Sequence, residues 1–381
     1  MPRVAICGVA RTPIGKFRGS LSNLTAVELG IRSVSELLSR CKINPTSGVI
    51  DEVLFGQVLQ AGAGQAPARQ VALGAGLPNS IAATTINKVC GSSLKAVMMA
   101  ANSIKAGEYK AIIAGGMESM TNAPKFEKRN GEEKEMVSTM VHDGLWDVYN
   151  DVHMGNTGEI VANECGISRE KMDAFAARSQ NKAAEAEANG WFDWERFEMP
   201  ELSTDEGVRA GTTIEKLAGL RPVFQEDGMV TAGNASTLND GASAVLVVDE
   251  DFANANGWEI IAIVEDYCTA GVEPSRVMYA PVPAIKILLE RANLNVLDID
   301  VYEHNEAFAS ASCAVAQDVG IPDDRFNLHG GAVALGHPLG SSGTRCLITM
   351  IGVMRRLEAK SGIVSLCLGG GNAVAMRVSI D

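Results

Sequence analysis

With 381 residues, the chain is longer than one ordinary core supports, which implies more than one domain around a large buried interior. Its net charge of −13 excludes an extended basic face and, with it, nucleic-acid binding as the main role. A hydrophobic share of 46% with 39 glycines describes a globular chain of closely packed helices and sheets, and no window has the length of a membrane span.

The N-terminus, from Met1 to Ile6, enters a strand at once and carries no signal-peptide pattern. Residues 4–9 read as a buried strand, and Thr25-Ala26-Val27-Glu28 is a capping box that opens a helix through Leu38. A second strand covers 52–58, and Pro67 stands where the first turn of a helix over 68–73 places it. After Asn87-Lys88-Val89-Cys90-Gly91-Ser92-Ser93 comes an amphipathic helix, with Leu94, Val97, Met98, Ala101 and Ile104 on one face and Gly107 as its stop. A short strand over 110–114 then ends at Gly115-Gly116.

Between 120 and 238 the regular alternation stops. This stretch holds a charged run, 127–135, and one clear helix, 168–189, and reads as an inserted polar subdomain. Alternation returns with strands over 242–249, 259–266 and 299–302 and helices over 282–292 and 306–318. A loop bearing His337 leads into a helix over 341–357, and a strand over 363–367 ends in Gly369-Gly370-Gly371. The order strand, polar loop, helix, strand and glycine turn occurs in both halves, which predicts two similar α/β halves whose loops converge on one site.

Four elements could carry chemistry. Cys90 lies at the start of a helix, where backbone amides and the positive dipole end favour a thiolate. It is read equally well as a small buried residue filling space between strand and helix. His337, within Gly336-His337-Pro338, is held by glycine and proline and is the best base candidate among five histidines. Cys367 ends a buried strand beside glycines whose amides could face a developing oxyanion. Asn305, in Asn305-Glu306-Ala307-Phe308-Ala309, reads alone as a helix N-cap, and Phe308 as core. The eight cysteines show no CxxC spacing, so neither a metal centre nor a disulfide framework is indicated, and a reducing compartment is expected, the cytoplasm or else an organelle matrix.

Together these motifs resemble the thiolases, and among them those acting on acetoacetyl-CoA. The resemblance runs from Arg11-Thr12-Pro13 to Cys367-Leu368-Gly369-Gly370-Gly371 and includes His153-Met154-Gly155 and Thr231-Ala232-Gly233-Asn234-Ala235-Ser236. It implies an α/β fold of five layers, α/β/α/β/α. One half would span 1–119, completed by about 239–259; a loop domain at 120–238 would bind CoA, and the other half would span 260–381.

It further implies a ping-pong Claisen reaction in which Cys90 carries the acyl group, His337 takes its proton, and Cys367 is the base at the α-carbon. Asn305 would hold a water at the enolate, and the amides of Cys90 and Gly369 would meet the thioester oxygen. Ala232 and Ser236 are carried onto the pantetheine path, with Leu145, His153, Met154, Phe224 and Phe308 as its apolar walls and Arg209 at the phosphates. CoA, acetyl-CoA and acetoacetyl-CoA are the implied substrates, with no resident cofactor and no metal.

The His153-Met154-Gly155 element favours short acyl chains. A 3-ketoacyl-CoA thiolase of broader chain length is the alternative, followed by a thiolase-like protein that binds acyl-CoA without turnover; Cys367 in place of a second histidine argues against a ketosynthase. The segment between Pro124 and Asp143 is shorter and more charged than the tetramer-forming loop of many acetoacetyl-CoA thiolases, so a homodimer is expected. Thr237 and Ser93 stand where glycine is common, and His329 where asparagine is common and close enough in sequence to bias His337.

Overall fold

A computed structural model describes residues 2–130 and 133–381; Met1, and Gly131 and Glu132 of the charged run, lie outside the described residues. Nine strands follow one path: β1 (Val4–Arg11), β2 (Glu52–Gly56), β3 (Ala82–Ile86), β4 (Ala111–Ser119), β5 (Asn239–Asp249), β6 (Ala262–Gly271), β7 (Val301–His304), β8 (Ser361–Leu368) and β9 (Asn372–Ser379). Their spatial order is β7-β8-β9-β6-β1-β5-β4-β2-β3, and Gly15–Lys16 adds to β5.

This order is one pattern used twice. From the centre outward the first half reads β1-β5-β4-β2-β3 and the second β6-β9-β8-β7, with an antiparallel, antiparallel, parallel sequence of pairings in both. The two halves join where β1 meets β6 over three residue pairs, Val4 with Val264, Ala5 with Ile263 and Ile6 with Ala262. The counterpart of β3 in the second half is reduced to a single parallel bridge between Tyr302 and Phe326.

Strand periodicity explains the layers. On β4, Ile112 and Ala114 join one core cluster, while Ala111 and Ile113 join another. The first face packs on two central helices, α3 (Ser92–Lys105) and α8 (Ser342–Leu357), which also meet Val364 and Met376 of the second half. The outer face of the first half is covered by α1 (Ala26–Arg40) and α2 (Pro67–Gly74); that of the second by α6 (Pro281–Ala292) and α7 (Ala309–Val319). The result is α/β/α/β/α, with the central strands β1, β4, β5 and β8 buried on both faces and rich in apolar residues.

Local signals account for several boundaries. The Thr25–Glu28 capping box is formed and starts α1. The strand expected to stop at Gly115-Gly116 continues as β4 to Ser119, because both glycines lie inside the sheet and Gly116 pairs with Ser243 of β5. The stretch between β4 and β5 contains two long helices, α4 (Met154–Glu164) and α5 (Arg169–Ala188), rather than one, with a short helix at Ile214–Ala218 and a π-helical turn at Met140–Leu145. The first escapes sequence inspection because Gly155 and Gly158 interrupt its apolar pattern. In the charged run, Lys125–Asn130 pairs antiparallel with Glu133–Ser138. Among the described residues no helix is long and apolar enough to cross a membrane.

Candidate active site

The loops from both halves line one cavity of about 580 Å³. Cys90 enters it from a tight turn between β3 and α3. Asn87 Oδ1 accepts the Val89 amide at 3.0 Å, and Ser92 Oγ accepts the Lys88 amide at 2.8 Å while donating to the Val89 carbonyl at 2.6 Å. Val89, a β-branched residue, is thereby held at φ 47°. The first helical residue is Ser92 and its cap is Gly91, so Cys90 stands just outside the helix.

The dipole expectation for Cys90 is corrected by burial. Removal of the sulfur from water pushes its thiol up to about 12, against the smaller lowering effect of its own amide and that of Gly369; the charge of Glu118 adds to the rise. At rest the nucleophile is a thiol, and the amides of Cys90 and Gly369 favour its ionised form without overcoming burial.

His337 is fixed on both sides. Its amide donates to Asn239 Oδ1 at 3.0 Å, and the preceding Gly336 sits at φ 105°, where a Cβ would fall 2.3 Å from Asn239. The Ser342 hydroxyl donates to the Pro338 carbonyl at 2.9 Å, so at 2.5 Å from His337 Nδ1 it accepts the ring N–H. That leaves the lone pair on Nε2, which accepts a long hydrogen bond from Asn305 Nδ2 at 3.4 Å. Burial, then the charge of Arg345, lowers the ring to about 3, so the imidazole is neutral.

Cys367, near the end of β8, is 2% exposed, and its Sγ lies 3.7 Å from Met278 Sδ. Burial, then the neighbouring Cys90, raises its thiol above the usual range. Asn305 does not cap a helix, since α7 begins at Ala309 with Phe308 as its cap. It is buried behind His337, with its amide donating to the Ser365 carbonyl and Oδ1 accepting from the Cys346 thiol.

The motif at 231–236 forms one wall. Asn234 Oδ1 accepts the Thr231 amide at 2.8 Å, and the Ser236 amide donates to the Ala307 carbonyl at 3.0 Å, which ties the segment to the loop before α7. His153 accepts the Gly155 amide at 3.0 Å and stacks on Phe224 at 4.8 Å, and Phe224 meets Phe308 edge-on at 6.3 Å. Leu145, Met154, Arg209 and Ala232 also line the cavity, so of the residues singled out in the sequence only Asn305 stands behind its wall. Two cysteine sulfurs, a neutral imidazole and the amides of Cys90 and Gly369 at the end of an apolar channel suit acyl transfer through a thioester.

Comparison with known families agrees with this constellation. The thiolase N-terminal domain matches residues 4–251, and the thiolase C-terminal domain matches residues 258–380. The chain belongs to the thiolase family. Among its relatives are the acetyl-CoA acetyltransferase of Cupriavidus necator, 47% identical over 392 residues and 99% of both chains, and that of Pseudomonas aeruginosa, 45% identical over 396 residues and the whole of both chains.

Where this thiolase departs from the common pattern, the replacing hydroxyls form bonds. Thr237 Oγ1 donates at 2.8 Å to Asn239 Oδ1, the oxygen that also accepts the His337 amide. Ser93 Oγ accepts the Thr344 amide at 2.9 Å and links the two central helices. His329 does not approach His337: it stacks on Trp191 at 5.1 Å, and Arg356 Nε donates to its Nε2 at 3.0 Å. Lys16, Gln180 and Met278 also line the cavity but belong to no motif, so sequence reading passes over them.

Proposed function

We propose that this thiolase is an acetyl-CoA C-acetyltransferase that interconverts two acetyl-CoA with acetoacetyl-CoA and CoA. The observation that supports this most directly is that Cys90, the unprotonated Nε2 of His337 and the thiol of Cys367 share one cavity. As Cys90 sulfur attacks the acetyl carbonyl, its proton passes to His337 Nε2, and the departing CoA sulfur takes that proton away. Burial disfavours thiolate and imidazolium separately, so the proton moves with the attack, and the two charges offset each other as a pair.

In the second half-reaction Cys367 passes its thiol proton to His337 Nε2 and, as thiolate, takes the α-proton of a second acetyl-CoA, and His337 returns the borrowed proton to Cys367 as the cycle closes. The carbanion attacks the acetyl carbonyl on Cys90, the carbon–sulfur bond breaks, and the proton held by Cys367 returns to the leaving Cys90 sulfur. His337, backed by Asn305, faces the enolate oxygen. Met278 against Cys367 and Leu339 beside Cys90 limit the room for longer acyl chains and favour the short-chain reading over a broad-chain thiolase.

CoA and its esters enter as substrates, with pantetheine along 231–236 and phosphates toward Lys16 and Arg209 at the cavity wall. In this reading 120–238 is the CoA-binding insert between halves 1–119, completed by 239–259, and 260–381. The protein works as a homodimer in the cytoplasm, in keeping with eight free thiols and with β3 at the end of the sheet path.

Incubation with acetyl-CoA followed by mass spectrometry tests the reading. An acetyl group on Cys90 is expected, and one found elsewhere or nowhere overturns it. Cys367→Ala should still accumulate acetyl-Cys90 and release CoA once, while condensation falls by about 10²-fold or more.

A further inference from the structure

One buried carboxylate takes no part in these steps. Glu118, on β4, is fully buried, and its oxygens accept three backbone amides: Val58 at 3.0 Å and Leu59 at 3.1 Å from the loop after β2, and Gly340 at 3.0 Å from the loop that carries His337. A single side chain of the first half therefore holds one loop from each half. The approach is close: a Cβ on Gly116 would fall 1.9 Å from the Gly340 carbonyl oxygen, and one on Gly340 would fall 2.4 Å from that of Met117. On the cavity side of these amides, Val58, Leu59 and Leu339 pack in one small apolar cluster against Cys90.

We infer that Glu118 is a positioning residue whose carboxylate clamps the Val58–Leu59 and Gly340 backbones to β4 and so sets the spacing between Cys90 and His337. The inference rests on the acyl-transfer reading above. Three N–H donors favour the ionised form, while burial and then Asp240 of β5 oppose it and bring the group up to about 7. The charge that acts on Cys90 is that of Glu118 from β4, which opposes its thiolate; Cys367 feels Cys90 in turn, and His337, His153, Lys16 and Arg209 line the same cavity. The clamp thus orders the site at some expense to the ionisation of its nucleophile.

That opposition supplies the test. Glu118→Gln keeps the shape but presents an –NH₂ that cannot accept, so at least one of the three amides loses its partner. The expected result is a fall in kcat of about 10- to 100-fold with KM for acetyl-CoA within about threefold. At the same time the pH midpoint for iodoacetamide alkylation of Cys90, located by mass spectrometry, should move down. A nucleophile that ionises more readily in a slower enzyme is not the signature of simple loosening.

Glu118→Asp, which keeps the charge and shortens the reach, should lose kcat with a midpoint near the parent's, and it carries the test if the glutamine variant does not fold. Parent-like kcat in either folded variant, or an unmoved midpoint in Glu118→Gln, overturns the inference. Should the parent form no acetyl-Cys90, the acyl-transfer reading falls, and the alkylation midpoints of the two variants alone decide the clamp.

Discussion

Gly369 and Gly336 border the same cavity for different reasons. Gly369 lies outside the left-handed region, and a Cβ there would stand 3.4 Å from Val89, an ordinary contact. Only its amide faces Cys90, so Gly369→Ala should keep turnover within about threefold, as steady-state assay would show. Gly336→Ala meets both φ 105° and Asn239 at 2.3 Å, and its kcat should fall by about 10²-fold as His337 is displaced. At this scale the sequence is most legible where glycine, proline or a strand end surrounds a reactive side chain, as at Cys90, His337 and Cys367. It misleads at Asn305, whose N-cap appearance comes from a polar residue ahead of an apolar run that starts its helix only at Ala309. It is silent at Met278, which reaches Cys367 from a short helical turn, Pro274–Tyr279, with no recurring spacing. The direction of the Cys90 shift was also beyond it, since depth in a cavity is a tertiary property and here outweighs the effect of two amides.

Elements begin and end where their own residues satisfy them, and α8 ends with help from afar. Arg356 in its last turn donates to His329, and burial, then the charges of Arg356 and Lys182, hold that ring down to about 3. Folded His329 gains its proton only near pH 3, whereas the unfolded chain gains it near 6.5, so acid draws the protein toward the unfolded chain between those values. Denaturant midpoints of the parent should therefore fall more steeply than those of His329→Asn as pH drops from 6.5. The difference in slope approaches one proton, about 1.4 kcal/mol per pH unit. The capping box of α1 and the proline at the start of α2 are local signals and were readable; α4, with two glycines in its first turns, was not.

Across the whole molecule, buried charge joins the 120–238 stretch to the sheet. Arg11 at the end of β1 is fully buried and pairs with Glu195 at 2.6 Å and with both oxygens of Asp205 at 2.8 and 2.9 Å. Arg11→Met would leave Glu195 without this cation and Asp205 with only Arg196, at 3.4 Å. A loss of about 3 to 5 kcal/mol in urea unfolding is expected, larger than for removal of an exposed pair such as Arg3 with Glu250. The duplication was visible in the sequence as a repeated order of elements. The junction of β1 with β6 was not, because three residue pairs between strands more than 250 positions apart leave no periodic trace.

The tenth strand on the path that the duplication lacks, reduced to a bridge at Phe326, gives the sheet two unlike ends. At one end Asn327 seals β7: its amide donates to the Tyr302 carbonyl, and its side chain both accepts the His304 amide and donates to the His304 carbonyl. At the other end β3 has β2 on one side and no further strand among the described residues. A sheet open at one end only can be lengthened once. Two copies joined through that end would exhaust each other's free edge, so growth by strand addition terminates at a pair and cannot propagate into a fibre.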